Sequence, residues 1–170
     1  EVFISDADIK HGDQFKVYVK GQSVERDRIP AYADYVVQNP DTYDFSASVW
    51  SPEKPFKWTD KSFKPDTAYD QPLIYECHVG MVQEHPYYGS YGFHVSSFFA
   101  PSSRFGTPDD LRYLVNTAHK MGIAVIMDIV HSHAVKNISE GLNEFDGSDY
   151  QYFHPGGRGT HSQWDSKLFN

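Results

Sequence analysis

The chain reads GTPDDLRYLVNTAHKMGIAVIMDIVHSH over residues 106–133, and this stretch decides its fold. Thr107 is a residue type that caps helices, Pro108 suits the first helical position, and acidic residues follow where the helix dipole favours negative charge. Apolar residues then recur on one helical face until Gly122, a residue type that ends helices. The sequence therefore predicts a helix between Thr107 and Gly122 that packs against a flat surface.

The segment after this helix, Ile123 to Val130, is apolar apart from Asp128. Its length and composition are typical of a strand that is covered on both faces. A helix that leads into such a strand predicts a parallel α/β architecture. Because the C-terminal strand ends of a β/α barrel carry its chemistry, Asp128, His131 and His133 are candidates for an active-site rim. The local pattern is equally compatible with a loop-capping aspartate and ordinary polar histidines at a strand exit.

Sequence motifs along the chain carry a family resemblance. Residues 128–133, DIVHSH, are similar to the first signature region of the α-amylase superfamily: Asp, two apolar positions, two variable positions and His. Three longer segments resemble 1,4-α-glucan (glycogen or starch) branching enzymes: EHPYYGSYGFHVSSFFAPSSRFGTPDDLRYLV from Glu84, AHKMGIAVIMDIVHSHAVKN from Ala118, and YFHPGGRGTHSQWDSKLFN from Tyr152. The resemblance covers nearly all of the chain.

The first part of the chain has a different pattern. FKVYV from Phe15 and FSASVW from Phe45 alternate apolar and polar positions, which predicts half-buried antiparallel strands. Residues 26–58 resemble the end of the β-sandwich glucan-binding module that precedes the barrel in branching enzymes, and LIYECHVG from Leu73 resembles their first barrel strand. We therefore expect a buried strand over Leu73 to Val79.

The resemblance implies an α/β fold: an incomplete (β/α)8 TIM barrel with only its first strands, preceded by the C-terminal part of an all-β sandwich module. The expected boundaries are residues 1–72 and 73–170. A barrel needs about 250 residues, and Val82 alone joins Met81 to Gln83 where a parallel crossover takes a dozen or more. We expect a partial chain that lacks one βα unit after Met81 and is marginally stable in isolation.

Three substrate-binding residues follow from the resemblance. His133 matches the histidine that hydrogen-bonds the sugar where cleavage occurs, and Asp128 matches the aspartate that orients neighbouring groups. Phe93 stands where the family usually has a tyrosine stacked on that sugar, so the ring is kept and the hydroxyl is lost. Further candidates for the rim or groove are Tyr87, Tyr91 and Trp164. No catalytic residue is expected, because the nucleophile and acid carboxylates of the family's retaining mechanism lie beyond Asn170; the 170-residue chain is predicted to be inactive.

Two alternatives to a branching enzyme stay open at this point. One is a non-catalytic glucan-binding fragment or an inactive remnant. The other is a metal-dependent hydrolase with ligands from this set: Asp128, His131, His133, His154 and His161. No spacing among them matches a metal signature. Ser132 stands where calcium-dependent α-amylases usually carry a metal-binding asparagine, so we expect neither metal nor cofactor.

Composition narrows the class of partner. The formal net charge of -8 and a pI near 5.5 disfavour nucleic acid and anionic membranes as partners. Aromatic residues make up 16% of the chain, and flat rings suit sugar faces, which agrees with an α-glucan such as glycogen, amylose or amylopectin. The single cysteine, Cys77, allows no internal disulfide. A cytoplasmic location is expected.

Overall fold

The computed structural model describes residues 8–21, 24–66, 68, 71–77 and 91–170. The strands are β1 (Gln14–Phe15), β2 (Val17–Lys20), β3 (Glu25–Arg28), β4 (Val36–Gln38), β5 (Phe45–Ser48), β6 (His133–Val135), β7 (Thr160–His161) and β8 (Ser166–Leu168). One α-helix, α1 (Pro108–Lys120), and two 3₁₀ turns (Ser103–Phe105 and Gly156–Gly159) complete the regular structure of these residues. No helix in this part of the chain has both the length and the hydropathy that crossing a bilayer requires.

The first part of the chain forms antiparallel strands, as the alternating pattern predicts. The expected half-burial is wrong for the strands near Phe15, because both residues of β1 are exposed and so is all of β2 except Val19, whereas β5 is largely buried. β2 pairs with β3, and β5 lies between β1 and β4. The inward side chains of these strands and the turns between them form a small apolar core, which consists of Ile29, Ala33, Val36, Phe45, Ala47 and Ala100. Because Ala100 comes from the second part of the chain, the two predicted parts share this core. The boundary near residue 72 stays a prediction.

Helix α1 confirms the expected start and end. Thr107 Oγ1 accepts the Asp110 N–H at 3.2 Å, and Asp110 Oδ2 accepts the Thr107 N–H at 2.8 Å, which is a complete capping box. At the other end Gly122 has φ +80°, and the Ile123 N–H donates to Ala118 O at 2.9 Å. These are the bonds of a Schellman motif, which satisfies carbonyl groups of the last turn.

The expected packing of α1 on a flat apolar surface is wrong. The helix buries Pro108 and Asn116, whereas Leu114 on the predicted apolar face is exposed. Asn116 Oδ1 accepts the Thr59 N–H at 2.8 Å, so an irregular segment covers the polar side of the helix instead. The apolar face lacks a sheet to cover it because the strands predicted on either side of it do not form.

The predicted buried strands, Leu73 to Val79 and Ile123 to Val130, are a second correction. Residues 72–77 and 123–130 belong to no strand, Leu73 is fully exposed, and Ile126 is 83% exposed; residues 78 and 79 lie outside the described part. A parallel strand takes its hydrogen bonds from neighbouring strands. In the described residues every strand pair is antiparallel, apart from a single parallel bridge between Val36 and Ser102. Within that part of the chain these segments have no strand to pair with, and the incomplete barrel stays a prediction.

A second antiparallel sheet, in the order β6-β8-β7, contains the end of the signature stretch. His133 pairs with Leu168, and His161 pairs with Ser166. The Val135 N–H donates to Val95 O at 3.0 Å, which attaches the free edge of β6 to the preceding chain. All three residues of β6 are buried, so this sheet positions His133 inside the protein.

Candidate functional site

Four aromatic side chains surround the buried end of β6: His94, His133, His161 and Trp164. We call this group the ring cluster. The ring centroid of His133 lies 5.1 Å from that of Trp164 and 6.3 Å from those of His94 and His161. His161 and Trp164 are stacked, with centroids 4.2 Å apart and planes 4° from parallel. The sheet register brings together rings that are far apart along the chain.

Hydrogen bonds to both backbone groups of Trp164 hold the cluster in place. His94 Nε2 donates to Trp164 O at 2.9 Å, and the Trp164 N–H donates to His161 Nδ1 at 3.3 Å. The next residue, Asp165, has a left-handed backbone with φ 48° and forms an ion pair with Lys136. Trp164 is therefore fixed from three directions although its side chain is largely exposed.

Burial controls the charge of the central histidine. His133 is 3% exposed, and desolvation lowers its pKa, with further lowering from the nearby His94 and His161. Its Nδ1 atom is buried without a hydrogen-bond partner among the described residues. Because buried polar atoms are nearly always paired in folded proteins, an unpaired one marks a candidate functional atom. Burial therefore favours the neutral form of His133 beside the flat Trp164 indole, which suits an uncharged polar ligand.

The geometry does not favour the metal-dependent hydrolase. No group of three potential ligand residues in the described ranges is arranged to hold a metal. Asp165, which follows Trp164 in the sequence, forms an ion pair with Lys136.

The structure separates the residues that the sequence grouped. His133 and Trp164 are brought together, but Asp128 is exposed on the unpaired segment and has no hydrogen bond or ion pair within the described residues. Phe93 is 61% exposed. Among the residues that the structure describes, its ring makes no contact with the His133 ring. Tyr91 is exposed with φ 50°, and Tyr87 lies outside the described residues.

Sequence reasoning missed His94 and the role of His161 as a ring partner of Trp164. His161 entered only as a possible metal ligand, and His94 entered only as part of a quoted motif. The available signal was the short spacing of His161 and Trp164 on either side of a tight turn between two short strands. No feature of the sequence around His94 indicated that its side chain would join the ring cluster.

Comparison with known proteins decides the family. The α-amylase catalytic domain matches residues 74–167, more than half of the chain. The chain belongs to the α-amylase family. Within the family it is similar to 1,4-α-glucan-branching enzymes, with 42% identity to that of Yarrowia lipolytica, 40% to that of Dictyostelium discoideum and 40% to branching enzyme 2-2 of Arabidopsis thaliana. Each alignment takes in 95% of this chain. The resemblance drawn from the motifs is confirmed.

The α-amylase family relatives are much longer than the aligned region. The chain spans about a quarter of their length: 28%, 28% and 24% in the order given above. The Yarrowia alignment runs over 199 positions although the chain has only 170 residues, so that relative contains residues without a counterpart here. The expected loss of one βα unit after Met81 is compatible with this difference. Its position stays a prediction, because residues 81–90 lie outside the described part.

Proposed function

We propose that this chain supplies part of the α-glucan-binding surface of a 1,4-α-glucan-branching enzyme. Such an enzyme cleaves an α-1,4-glucan and transfers the released chain to a 6-hydroxyl, forming an α-1,6 branch. The observation that carries the proposal is about 40% identity to branching enzymes across 95% of the chain. The His133 imidazole, whose neutral form burial favours, lies beside the Trp164 indole and supports a neutral sugar polymer as the ligand.

His133 is the proposed hydrogen-bonding contact to the sugar. Burial favours its neutral form, and a neutral imidazole has both a donor and an acceptor for sugar hydroxyls. Phe93 is exposed, so its ring is accessible for stacking on a sugar of a bound glucan. Asp128 is the proposed orienting carboxylate, and Tyr87 and Tyr91 are proposed groove residues. The net charge of -8 supports a neutral polymer over nucleic acid or an anionic membrane.

The 170-residue chain is proposed to bind glucan without transferring it. Retaining cleavage needs two carboxyl groups about 5 Å apart on either side of the scissile bond. In the described residues no such pair flanks His133, and the nearby Asp165 is engaged by Lys136. The proposed architecture remains the one that the resemblance implies: an incomplete barrel without one βα unit, preceded by the end of a sandwich module. A cytoplasmic location also stays a prediction, since the Arabidopsis relative is named as chloroplastic or amyloplastic.

Affinity electrophoresis through gels with and without glycogen tests the binding proposal. We expect glycogen to retard the 170-residue chain, and His133→Ala or the more conservative His133→Gln to reduce that retardation. His131→Ala is the matched control, because His131 is an exposed histidine whose Nδ1 contacts only Ile129 O, at 3.0 Å. A folded chain that migrates identically in both gels contradicts the proposal.

An iodine-stained assay on amylose tests the absence of transfer. We expect no fall in absorbance when the 170-residue chain is incubated with amylose. A fall that depends on this chain, and that a preparation of the His133→Ala variant does not reproduce, would show that the residues present are sufficient for catalysis.

A further inference from the structure

We propose that the open face of the Trp164 indole is a stacking platform for one glucose ring of the glucan, with His161 as its backing. This inference rests on the proposed function and adds a second sugar contact beside His133. It also assigns positioning roles to His94 and Asp165, which hold the platform without being required to touch the sugar.

One face of the indole is covered and the other is available. Trp164 is 53% exposed, yet the His161 ring lies parallel to it at a centroid distance of 4.2 Å. The His133 ring approaches at 5.1 Å with its plane tilted by 41°. Because stacked His161 occupies one indole face, the exposed area lies on the opposite face and the ring edge. An indole supported in this way presents a flat apolar surface to solvent.

The platform is organised before any ligand arrives. The carbonyl and the N–H of Trp164 are both hydrogen-bonded to imidazoles, those of His94 and His161. Asp165 fixes the following peptide through its ion pair with Lys136, in a left-handed conformation that non-glycine residues adopt at a cost in energy. A ligand therefore does not have to order this side chain, which removes one of the main costs of binding.

The chemistry around the indole selects a neutral ligand with a hydroxyl rim. His161 Nδ1 accepts the Trp164 N–H, so the neutral ring carries its proton on Nε2, where it is a donor. The positive charge of Lys136 is matched by Asp165, which leaves no net charge there to attract an anion. A pyranose ring fits both features, because its C–H face packs on the indole and its hydroxyl groups meet imidazole nitrogens.

The test is a titration of the 170-residue chain with maltoheptaose, followed by the indole N–H resonances of ¹⁵N-labelled protein. The chain has 3 tryptophans, and Trp164→Phe assigns the resonance that disappears. We expect the Trp164 resonance to shift most. Trp164→Ala should weaken binding about tenfold, which corresponds to about 1.4 kcal/mol, whereas Trp164→Phe, which keeps a flat ring, should stay within about threefold. Trp58→Ala is the control, since Trp58 is also partly exposed but contacts Phe56 instead of the cluster.

The outcomes separate the platform from the proposed function. If Trp164→Ala binds maltoheptaose as tightly as the wild type, or if only Trp50 and Trp58 resonances move, the platform is wrong and glucan binding stands. If the folded wild type does not bind, both proposals fail. Should Trp164→Ala not fold, His161→Asn gives the same test, because its amide oxygen retains an acceptor for the Trp164 N–H while the backing ring is lost. Undiminished affinity in that variant overturns the platform.

Discussion

Replacing Arg28 tests how strongly the first strands are joined to the loop that follows β6. The Arg28 side chain is completely buried, and its Nη2 donates to Gly141 O at 2.5 Å and to Asn143 O at 3.0 Å. Its guanidinium carbon lies 5.1 Å from the centroid of the Phe145 ring. Residues more than a hundred positions apart in sequence are thereby connected through one side chain.

Two opposing contributions determine how much the free energy of unfolding changes when Arg28 is replaced. Hydrogen bonds from a charged donor contribute about 1.5–3 kcal/mol each, so the two bonds stabilise the fold by roughly 3–6 kcal/mol. Against this, burial and the nearby Arg26 lower the pKa of Arg28 to about 10, and a shift of this size corresponds to roughly 3 kcal/mol of lost stabilisation of the charged form. Arg28→Met removes both terms and keeps most of the apolar stem, so we expect a net destabilisation of about 1–2 kcal/mol. Arg28→Ala also removes the stem and its packing on Phe145, and should cost about 3–4 kcal/mol.

Urea denaturation followed by far-ultraviolet circular dichroism measures these differences. Arg26→Met is the matched control, because Arg26 lies on the same strand, is only partly buried, and its side chain makes no hydrogen bond or ion pair within the described residues. We expect the midpoint to fall in the order Arg26→Met, Arg28→Met, Arg28→Ala, with the largest loss last.

Two results would refute this reasoning. If Arg28→Ala unfolds at the same urea concentration as Arg26→Met, the bonds to the Gly141 and Asn143 carbonyls do not join the two regions. If Arg28→Met and Arg28→Ala are equally destabilised, the packing of the aliphatic stem does not contribute, and the additional cost expected for Arg28→Ala is wrong.

Three further predictions concern the helix, a close contact and the ring cluster. Thr107→Ala should lower stability by about 1 kcal/mol through loss of the capping box, seen as a lower urea midpoint at 222 nm. Gly159→Ala should lower the melting temperature because its Cβ would overlap the carbonyl oxygen of His154, whereas Gly157→Ala, with open space around it, should not. Because the pKa of His133 is lowered in the folded state, its contribution is present above about pH 6.5 and is lost as the pH falls through the lowered pKa. His133→Gln should therefore flatten the dependence of the urea midpoint between pH 7.5 and 5.

The predictions that succeeded depend on local chemistry. The start of α1 requires only Thr107 and Asp110, three residues apart, and its end requires Gly122 with a positive φ. The alternating strands near Phe15 and Phe45 pair with neighbours in the same part of the chain. In each case the groups that stabilise the helix or strand are either close in sequence or recur with the period of that helix or strand. The sequence alone therefore shows them.

The predicted strand after α1 failed for the opposite reason. An apolar run such as Ile123 to Val130 shows that a segment suits a buried parallel strand, but not that a neighbour is present to complete its hydrogen bonds. In the described residues that neighbour is absent, so the segment stays extended and exposed. Asp128, expected at the end of this strand, is consequently exposed and separate from the ring cluster.

Local patterns were sufficient to predict the family and the ends of the helix, and to propose His133 as a site residue, because motifs and capping residues act over a few positions. The coordinates were needed to show which rings contact His133 and that Trp164 stacks on His161 while it is 53% exposed. His133 and His161 come from distant segments and become neighbours through the pairing of β6 with β8 and β8 with β7. His94 lies outside these strands and is attached by its bond to Trp164 O and by the bond from the Val135 N–H to Val95 O. Strand register is a long-range property that depends on hydrogen bonds between segments, and no spacing along a single segment encodes it.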